Sequence, residues 1–253
     1  MQSKKVEFTG SLGDTLSARI DLPEHTPPKA TVLFAHCFTC SKNLKVVSNI
    51  TRILAELGFA TLRFDFTGLG ESEGDFANTN FSSNVEDLVA AYHFLKKEKQ
   101  APAILVGHSL GGAAVLQAAH SMDSVKAVAT IGAPADPAHV KENFSLSINE
   151  IEHKGEAEVT LAGRTFTIKK QFLDDLASNR MTKYINTLNR ALMVFHSPID
   201  NTVGIDNASQ IFTSAKHPKS FVSLDRADHL LMEDADSIYA GKVLATWAEK
   251  YII

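Results

Sequence analysis

The sequence predicts an α/β fold, a doubly wound and mostly parallel sheet, and three observations carry that prediction. Short continuous apolar runs, Thr31-Val32-Leu33-Phe34-Ala35 the clearest, have the pattern of strands covered on both faces. They alternate with segments whose apolar residues recur at helical spacing, which implies right-handed βαβ crossovers. One run, Ala103-Ile104-Leu105-Val106, stops at Gly107-His108-Ser109-Leu110-Gly111 and gives way to a small-residue helix, Gly112 to Gln117. Strand, sharp turn and helix with serine at the apex is the pattern of a nucleophile elbow.

The elements follow in order. Val6–Thr9 and Leu16–Ile20 read as two strands joined at Gly13-Asp14, and Pro23 to Pro28 is a loop. After the Thr31–Ala35 strand, a helix over about 44–57 places Ile50, Ile53, Leu54 and Leu57 on one face, with Gly58 as its stop. Strand Ala60–Phe64 is followed by a helix from Asn84 to Lys97, with Val85, Leu88, Val89, Tyr92 and Leu95 at helical spacing. Strand Ala127–Ile131 follows the elbow helix.

The alternation then breaks over about 137–189. Glu158–Leu161 and Arg164–Ile168 alternate in period two around Ala162-Gly163, a short hairpin, and Gln171 to Leu176 reads as helix. An insertion of this length with regular apolar patterning is expected to be a small lid over the site. Phe144, Phe166 and Phe172 are candidates to line it; the alternative is that they pack it onto the body. The core resumes with strand Ala191–Phe195, helix Ile205–Ala215, strand Ser220–Leu224, the loop Asp225–His229 and a helix through Trp247. The expectation is one domain over residues 1–253 with the lid inserted in it.

Composition narrows the function. With 253 residues, 44% of them hydrophobic, the chain can bury one large core. A net charge of −4 offers no basic field for nucleic acid or an anionic membrane. Residues 1–8 contain no apolar signal core, and no stretch reaches membrane-spanning length. Two cysteines do not make a disulfide framework, so a cytoplasmic protein is the default expectation.

An aliphatic hydroxyl is a poor nucleophile at neutral pH, so Ser109 needs a base, and the base needs an orienting carboxylate. In open parallel sheets such groups gather at the carboxyl ends of strands. Ser109, Asp200 and His229 each follow such an end, in the chain order Ser, Asp, His that belongs with this elbow. Asp206, Asp225 and Asp228 compete for the acidic role. Among other histidines near strand ends, His36 has no assigned role, His108 reads as packing and His196 as a brace for the proline turn after it. An oxyanion requires two amide donors: the Leu110 N–H, directly after the nucleophile, and one from the loop after Thr31–Ala35. The Phe38 N–H is the candidate there, with Cys37 the neighbouring alternative.

The elbow, the two partner positions and the loop Arg63-Phe64-Asp65-Phe66-Thr67-Gly68-Leu69-Gly70-Glu71-Ser72-Glu73-Gly74 resemble the α/β-hydrolase superfamily. More narrowly, Ala35-His36-Cys37-Phe38-Thr39-Cys40-Ser41-Lys42, the stretch Phe76 to Asn84 and Ile131-Gly132-Ala133-Pro134-Ala135-Asp136-Pro137 resemble a bacterial subgroup. Members of that subgroup are often fused at their C-terminus to an OsmC-type peroxide-reducing domain. The resemblance implies carboxylic-ester hydrolysis, a lid similar to that of cinnamoyl and feruloyl esterases, and a functional link to an OsmC-type domain, which the chain ending at Ile253 does not include. Cys37 stands where many relatives carry the glycine of a His-Gly oxyanion loop.

The expected chemistry is cleavage of small carboxylic esters, aryl or hydroxycinnamoyl esters among them, through an acyl-enzyme and without a cofactor. A thioesterase or amidase would use the same parts. Cys37 and Cys40 allow a different class. Cys-x-x-Cys between strand and helix suits a redox pair, or two soft metal ligands with His36 as a third, although no fourth ligand is in view and no metal is expected. The remaining alternative is two small apolar side chains filling the loop. The Asp65 loop reads as structural, because a phosphate-binding fingerprint would space its glycines differently.

Overall fold

A computed structural model of the protein describes residues 1–161 and 163–252. The sheet is built from strands β1 (Gln2–Thr9), β2 (Thr15–Leu22), β3 (Thr31–Ala35), β4 (Ala60–Phe64), β5 (Pro102–His108), β6 (Ala127–Ile131), β9 (Ala191–His196) and β10 (Lys219–Ser223). Their spatial order is β1-β2-β4-β3-β5-β6-β9-β10. The first hairpin is antiparallel and β2 pairs antiparallel with β4; every other pairing in this sheet is parallel. This is the mostly parallel sheet of an α/β-hydrolase fold, and β3 to β6 and β9 are buried on both faces, as their largely apolar runs require, with Arg63 of β4 buried against Asp21.

Helices α1 (Lys45–Glu56) and α8 (Asp234–Glu249) cover one face, where Val46, Ile50 and Leu54 meet Ala240, Leu244 and Ala248. Helices α2 (Phe81–Lys97), α3 (Leu110–Ala118) and α7 (Asp206–Ser214) cover the other. Helix α2 begins at Phe81, ahead of the first periodic apolar residue. The Asn80 side chain accepts from the Ser83 N–H while Ser83 Oγ accepts from the Asn80 N–H, a reciprocal cap built on serine where glutamate is the usual signal.

The chain winds outward in both directions from β3. The connection β3–α1–β4 runs one way, and the return through α2 lays β5 against the opposite edge of β3, with Ala35 beside Gly107. The loops leaving β3 and β5 therefore diverge from neighbouring strand ends and leave a crevice between them.

Residues 137–189 interrupt the alternation as the sequence predicts. The segment runs through 3-10 turns over Pro137–Ser147, α4 (Ile148–Lys154), the hairpin β7 (Glu156–Leu161) and β8 (Arg164–Lys169), α5 (Lys170–Ser178) and α6 (Met181–Asn186). The Ala162 half of the predicted Ala162-Gly163 turn lies outside the described residues. Helices α4 and α6 are additions to the sequence reading. At 7 and 6 residues they are too short to show a period, and they form by burying Ile151, Met181 and Ile185. The segment shares one apolar core with α2 and α3, so it is packed onto the sheet rather than tethered to it.

Among the described residues, no helix is long and apolar enough to cross a membrane.

Candidate active site

Strand β5 ends at His108 and α3 starts at Leu110, leaving Ser109 alone at the apex with φ 55° and ψ −126°. A positive φ is unfavourable for a side-chain-bearing residue, and the glycines on either side make it attainable. A Cβ on Gly107 would lie 2.2 Å from the Gly111 carbonyl oxygen, and one on Gly111 2.4 Å from that of His36. The elbow helix thus packs directly on both β5 and the loop leaving β3.

Ser109 Oγ lies 2.9 Å from His229 Nε2, and His229 Nδ1 lies 2.7 Å from Asp200 Oδ2. The geometry fits one tautomer: the serine hydroxyl donates to Nε2, and Nδ1–H donates to the carboxylate. The second carboxylate oxygen of Asp200 accepts from the N–H groups of Thr202 and Val203, both at 2.9 Å. Burial pushes the Asp200 carboxyl up, yet the bonds from His229, Val203 and Thr202 outweigh it and hold the group below its usual value. The carboxylate is therefore ionised and fixed. Asp206 starts α7, and Asp228 Oδ1 accepts from the Leu230 and Met232 N–H groups, so His229 takes Asp200 as its partner.

The N–H groups of Leu110 and Phe38 donate to no protein acceptor among the described residues, and both belong to the crevice where the β3 and β5 loops diverge. Two free amides beside an activated hydroxyl can accept a developing oxyanion. Behind them, His36 Nδ1–H donates to the Cys37 carbonyl at 2.8 Å and its Nε2 accepts from the Phe66 N–H at 3.4 Å. Burial holds this imidazole below its ordinary value, in the neutral state.

An open cleft of about 220 Å³ exposes Ser109 and His229. Its walls are the turn Cys37–Cys40, Thr202, Leu230, and Asn143 and Leu161 from the inserted segment. Phe144, Phe166 and Phe172 are not among these lining residues. Phe172 sits 5.6 Å from the Phe38 ring and 6.2 Å from Phe144, and Phe166 packs at a tilt on Phe76 at 4.8 Å, itself 5.8 Å from Phe38. The three rings pack the insertion against the Phe38 turn, which favours the packing alternative over their lining the site. Phe166 and Phe172 differ from Leu161 only in the register of their elements, which composition does not reveal.

Cys37 and Cys40 form a disulfide, with Cα atoms 5.3 Å apart. This replaces both the picture of two free apolar side chains and the metal alternative, since sulfurs bonded to each other are not thiolate ligands. The spacing fits because residues 37 and 40 face each other across a turn closed by Cys40 N–H donating to the Cys37 carbonyl at 3.2 Å.

Several supporting residues carry no sequence signal. Gly132 has φ 55°, and a Cβ there would lie 3.3 Å from Asp200 Oδ2 and 3.4 Å from His229 Nδ1. Gly132→Ala is expected to cost about 1–2 kcal/mol in stability from the left-handed backbone. It should also lower kcat about tenfold to a hundredfold by pushing the imidazole off line, which steady-state kinetics would check. A glycine directly after the Ala127–Ile131 strand was the one hint in the sequence.

His108 and His196 read from sequence as packing and brace, and both are anchors. His108 Nε2–H donates to the main-chain carbonyl of His229 at 2.7 Å, and His196 Nε2–H donates to that of Val203, also at 2.7 Å. Burial first, then the neighbouring His229, pushes the His108 imidazole down to about 3. Because the folded value lies below the ordinary 6.5, the unfolded chain binds the extra proton first. Stability is full above pH 6.5 and declines towards about 3. This one group should remove on the order of 2 kcal/mol between pH 7 and pH 5. Urea unfolding at the two pH values should show a flatter dependence for His108→Gln, which keeps a donor but no titration.

The family model described as serine aminopeptidase, S33 (Hydrolase_4) matches residues 26–150. The esterase domain of a Rhodothermus marinus protein is 50% identical, superposes with a TM-score of 0.81 and covers 100% of both chains. Est1E from Butyrivibrio proteoclasticus, solved with ferulic acid bound, shares the fold at TM-score 0.80 and 20% identity, over 98% of this chain and 99% of that one. The mitochondrial palmitoyl-protein thioesterase ABHD10 of Rattus norvegicus is 27% identical over 213 residues, 81% of this chain and 70% of that protein. With a serine at the elbow, an imidazole and a carboxylate in relay, and a 50% identical esterase domain matching from end to end, the chain belongs to the serine hydrolases of the α/β-hydrolase family.

Proposed function

We propose that the protein cleaves small carboxylic esters through an acyl-enzyme on Ser109, with His229 as the base and Asp200 as its orienting carboxylate. The observation that carries this reading is the continuous Ser109–His229–Asp200 relay at 2.9 and 2.7 Å. Ser109 Oγ attacks the ester carbonyl as His229 Nε2 takes its proton. The Leu110 and Phe38 amides hold the oxyanion, and the imidazolium returns the proton to the leaving alcohol. A water then enters, gives a proton to His229 and attacks the acyl carbonyl, and collapse of the second tetrahedral intermediate releases the acid. No step calls for a metal or cofactor. The segment over residues 137–189 acts as a lid whose Asn143 and Leu161 form one wall of the cleft.

Thioester cleavage is the second reading. The name of the rat relative supports it, and a thiolate leaves more readily than an alkoxide, so the same groups suffice. Aryl and hydroxycinnamoyl acids remain within the ester proposal, as does a working link to an OsmC-type peroxide-reducing partner. The test is a panel of 4-nitrophenyl esters of rising acyl length, hydroxycinnamate methyl esters and acyl thioesters, run beside fluorophosphonate labelling. The adduct should map to Ser109, and esters should outpace thioesters of the same acid. An adduct elsewhere, or turnover of thioesters alone, overturns the ester proposal.

A further inference from the structure

We propose that the Cys37–Cys40 disulfide is a reducible modification site that holds the oxyanion turn in its working shape, so that thiol reductants lower the turnover of this hydrolase and oxidation restores it. The inference rests on the assignment of the Phe38 amide above, and it adds a control on that amide which catalysis itself does not require.

Three observations meet at this turn. The bond closes a four-residue ring whose interior residues are Phe38, the amide donor, and Thr39. Thr39 is buried at φ 58°, in the left-handed region that a β-branched residue avoids, so this backbone persists only while something closes the ring. Both cysteines line the open cleft that holds Ser109; Cys37 is buried, and the half-buried Cys40 is the sulfur a small or flexible dithiol would attack.

The contacts at the ends of the turn do not replace the bond. His36 Nδ1–H holds the Cys37 carbonyl and the Arg164 guanidinium of β8 holds the Thr39 carbonyl. The Cys40 N–H bond to the Cys37 carbonyl spans the same turn and the Phe38 ring packs on Phe76 and Phe172, but none of these contacts engages the Phe38 N–H, and its direction is assigned to covalent closure of the ring. Once the bond is cut, Thr39 can leave the left-handed region and the 38–40 segment re-orients. The Ser109–His229–Asp200 relay lies on other elements and stays intact. The result is a loss of oxyanion stabilisation with substrate binding largely kept.

The redox step balances. One thiolate of a dithiol attacks a cysteine sulfur, forming a mixed disulfide and releasing the other cysteine as thiolate. The second thiol of the reductant then displaces the first cysteine. Two electrons and two protons pass to the protein, giving two thiols, and the dithiol leaves as its own disulfide. Oxidised glutathione, as the oxidant, reverses the exchange.

The test uses the full chain, oxidised, then reduced with dithiothreitol and desalted without oxygen, then re-oxidised with oxidised glutathione. At each stage the free cysteines are alkylated and counted by intact mass, far-ultraviolet circular dichroism is recorded, and kcat and KM are measured on 4-nitrophenyl butyrate. Reduction should free both cysteines, leave the dichroism unchanged and lower kcat tenfold or more, with full loss of one donor setting a ceiling of about 10²–10³-fold. KM should move by no more than about twofold, and re-oxidation should restore kcat. Cys40→Ser should start at the reduced level and ignore both reagents. Two freed cysteines with kcat unchanged, no cysteine freed in the folded protein, or a fall in kcat that tracks lost dichroism would each overturn the inference. Absence of turnover in every state would instead overturn the hydrolase proposal beneath it.

Discussion

Replacing Ser109 by alanine is expected to lower ester turnover by about 10⁴–10⁶-fold in kcat, with the fold intact. The side chain removed is small, and the strained backbone at φ 55° is set by Gly107, Gly111 and the start of α3 rather than by the hydroxyl. Stability should therefore change little while the nucleophile is lost. Groups that act as one unit are not additive: His229→Ala should cost about as much as Ser109→Ala, and the double variant no more than either. What survives should be the background rate supported by the Leu110 and Phe38 amides and by binding. Steady-state kinetics on 4-nitrophenyl butyrate, with fluorophosphonate labelling lost in the alanine variant, measures both sides. Labelling that persists in Ser109→Ala would place the nucleophile elsewhere.

The second large effect lies behind the oxyanion turn and is one of stability. Lys42 and Asp65 are both fully buried, and Lys42 Nζ is 2.5 Å from Asp65 Oδ2. Asp65 Oδ1 also accepts the Lys42 N–H at 2.6 Å, and Oδ2 accepts the Glu71 N–H at 2.9 Å. The carboxylate thus ties the end of the 36–42 loop to the 65–71 loop. Lys42→Met removes the cation and leaves a buried, uncompensated carboxylate, at a cost of about 3–5 kcal/mol. A buried pair is weak evidence of net stabilisation, since desolvating both charges offsets much of their attraction. Lys42→Met/Asp65→Asn should therefore recover most of the loss, because the stranded charge is gone. Chemical denaturation of the three proteins gives the comparison directly. Equal instability of the single and double variants would show that the lysine acts by packing alone.

Both results bear on how much the sequence made legible. Ser109 was readable because its chemistry demands a local pattern: a strand, two glycines that admit close packing, and a helix start fall within a dozen residues. Asp200 and His229 were readable from chain order and from their place after β9 and β10. The Asp65 loop was recognised as structural, but its buried partner was not. Lys42 is twenty-three residues away, and a lysine after a loop ordinarily reads as solvated. For the phenylalanines of the insertion the sequence leaves two readings open, lining the cleft or packing on the body, because an aromatic stripe does not say which it faces; their ring contacts favour packing.

The sequence by itself determined the mostly parallel sheet, the strand-turn-helix at Ser109 and the order in which Asp200 and His229 follow it. Those depend on period, glycine spacing and strand ends, all of which are local. The tertiary structure alone decided that His108 grips the main chain of His229, that Gly132 leaves room for the imidazole and carboxylate, and that Cys37 and Cys40 close the turn presenting Phe38. Each of these depends on which strands become neighbours in the sheet or on how tightly a loop turns, and residue type at a position carries no such distance.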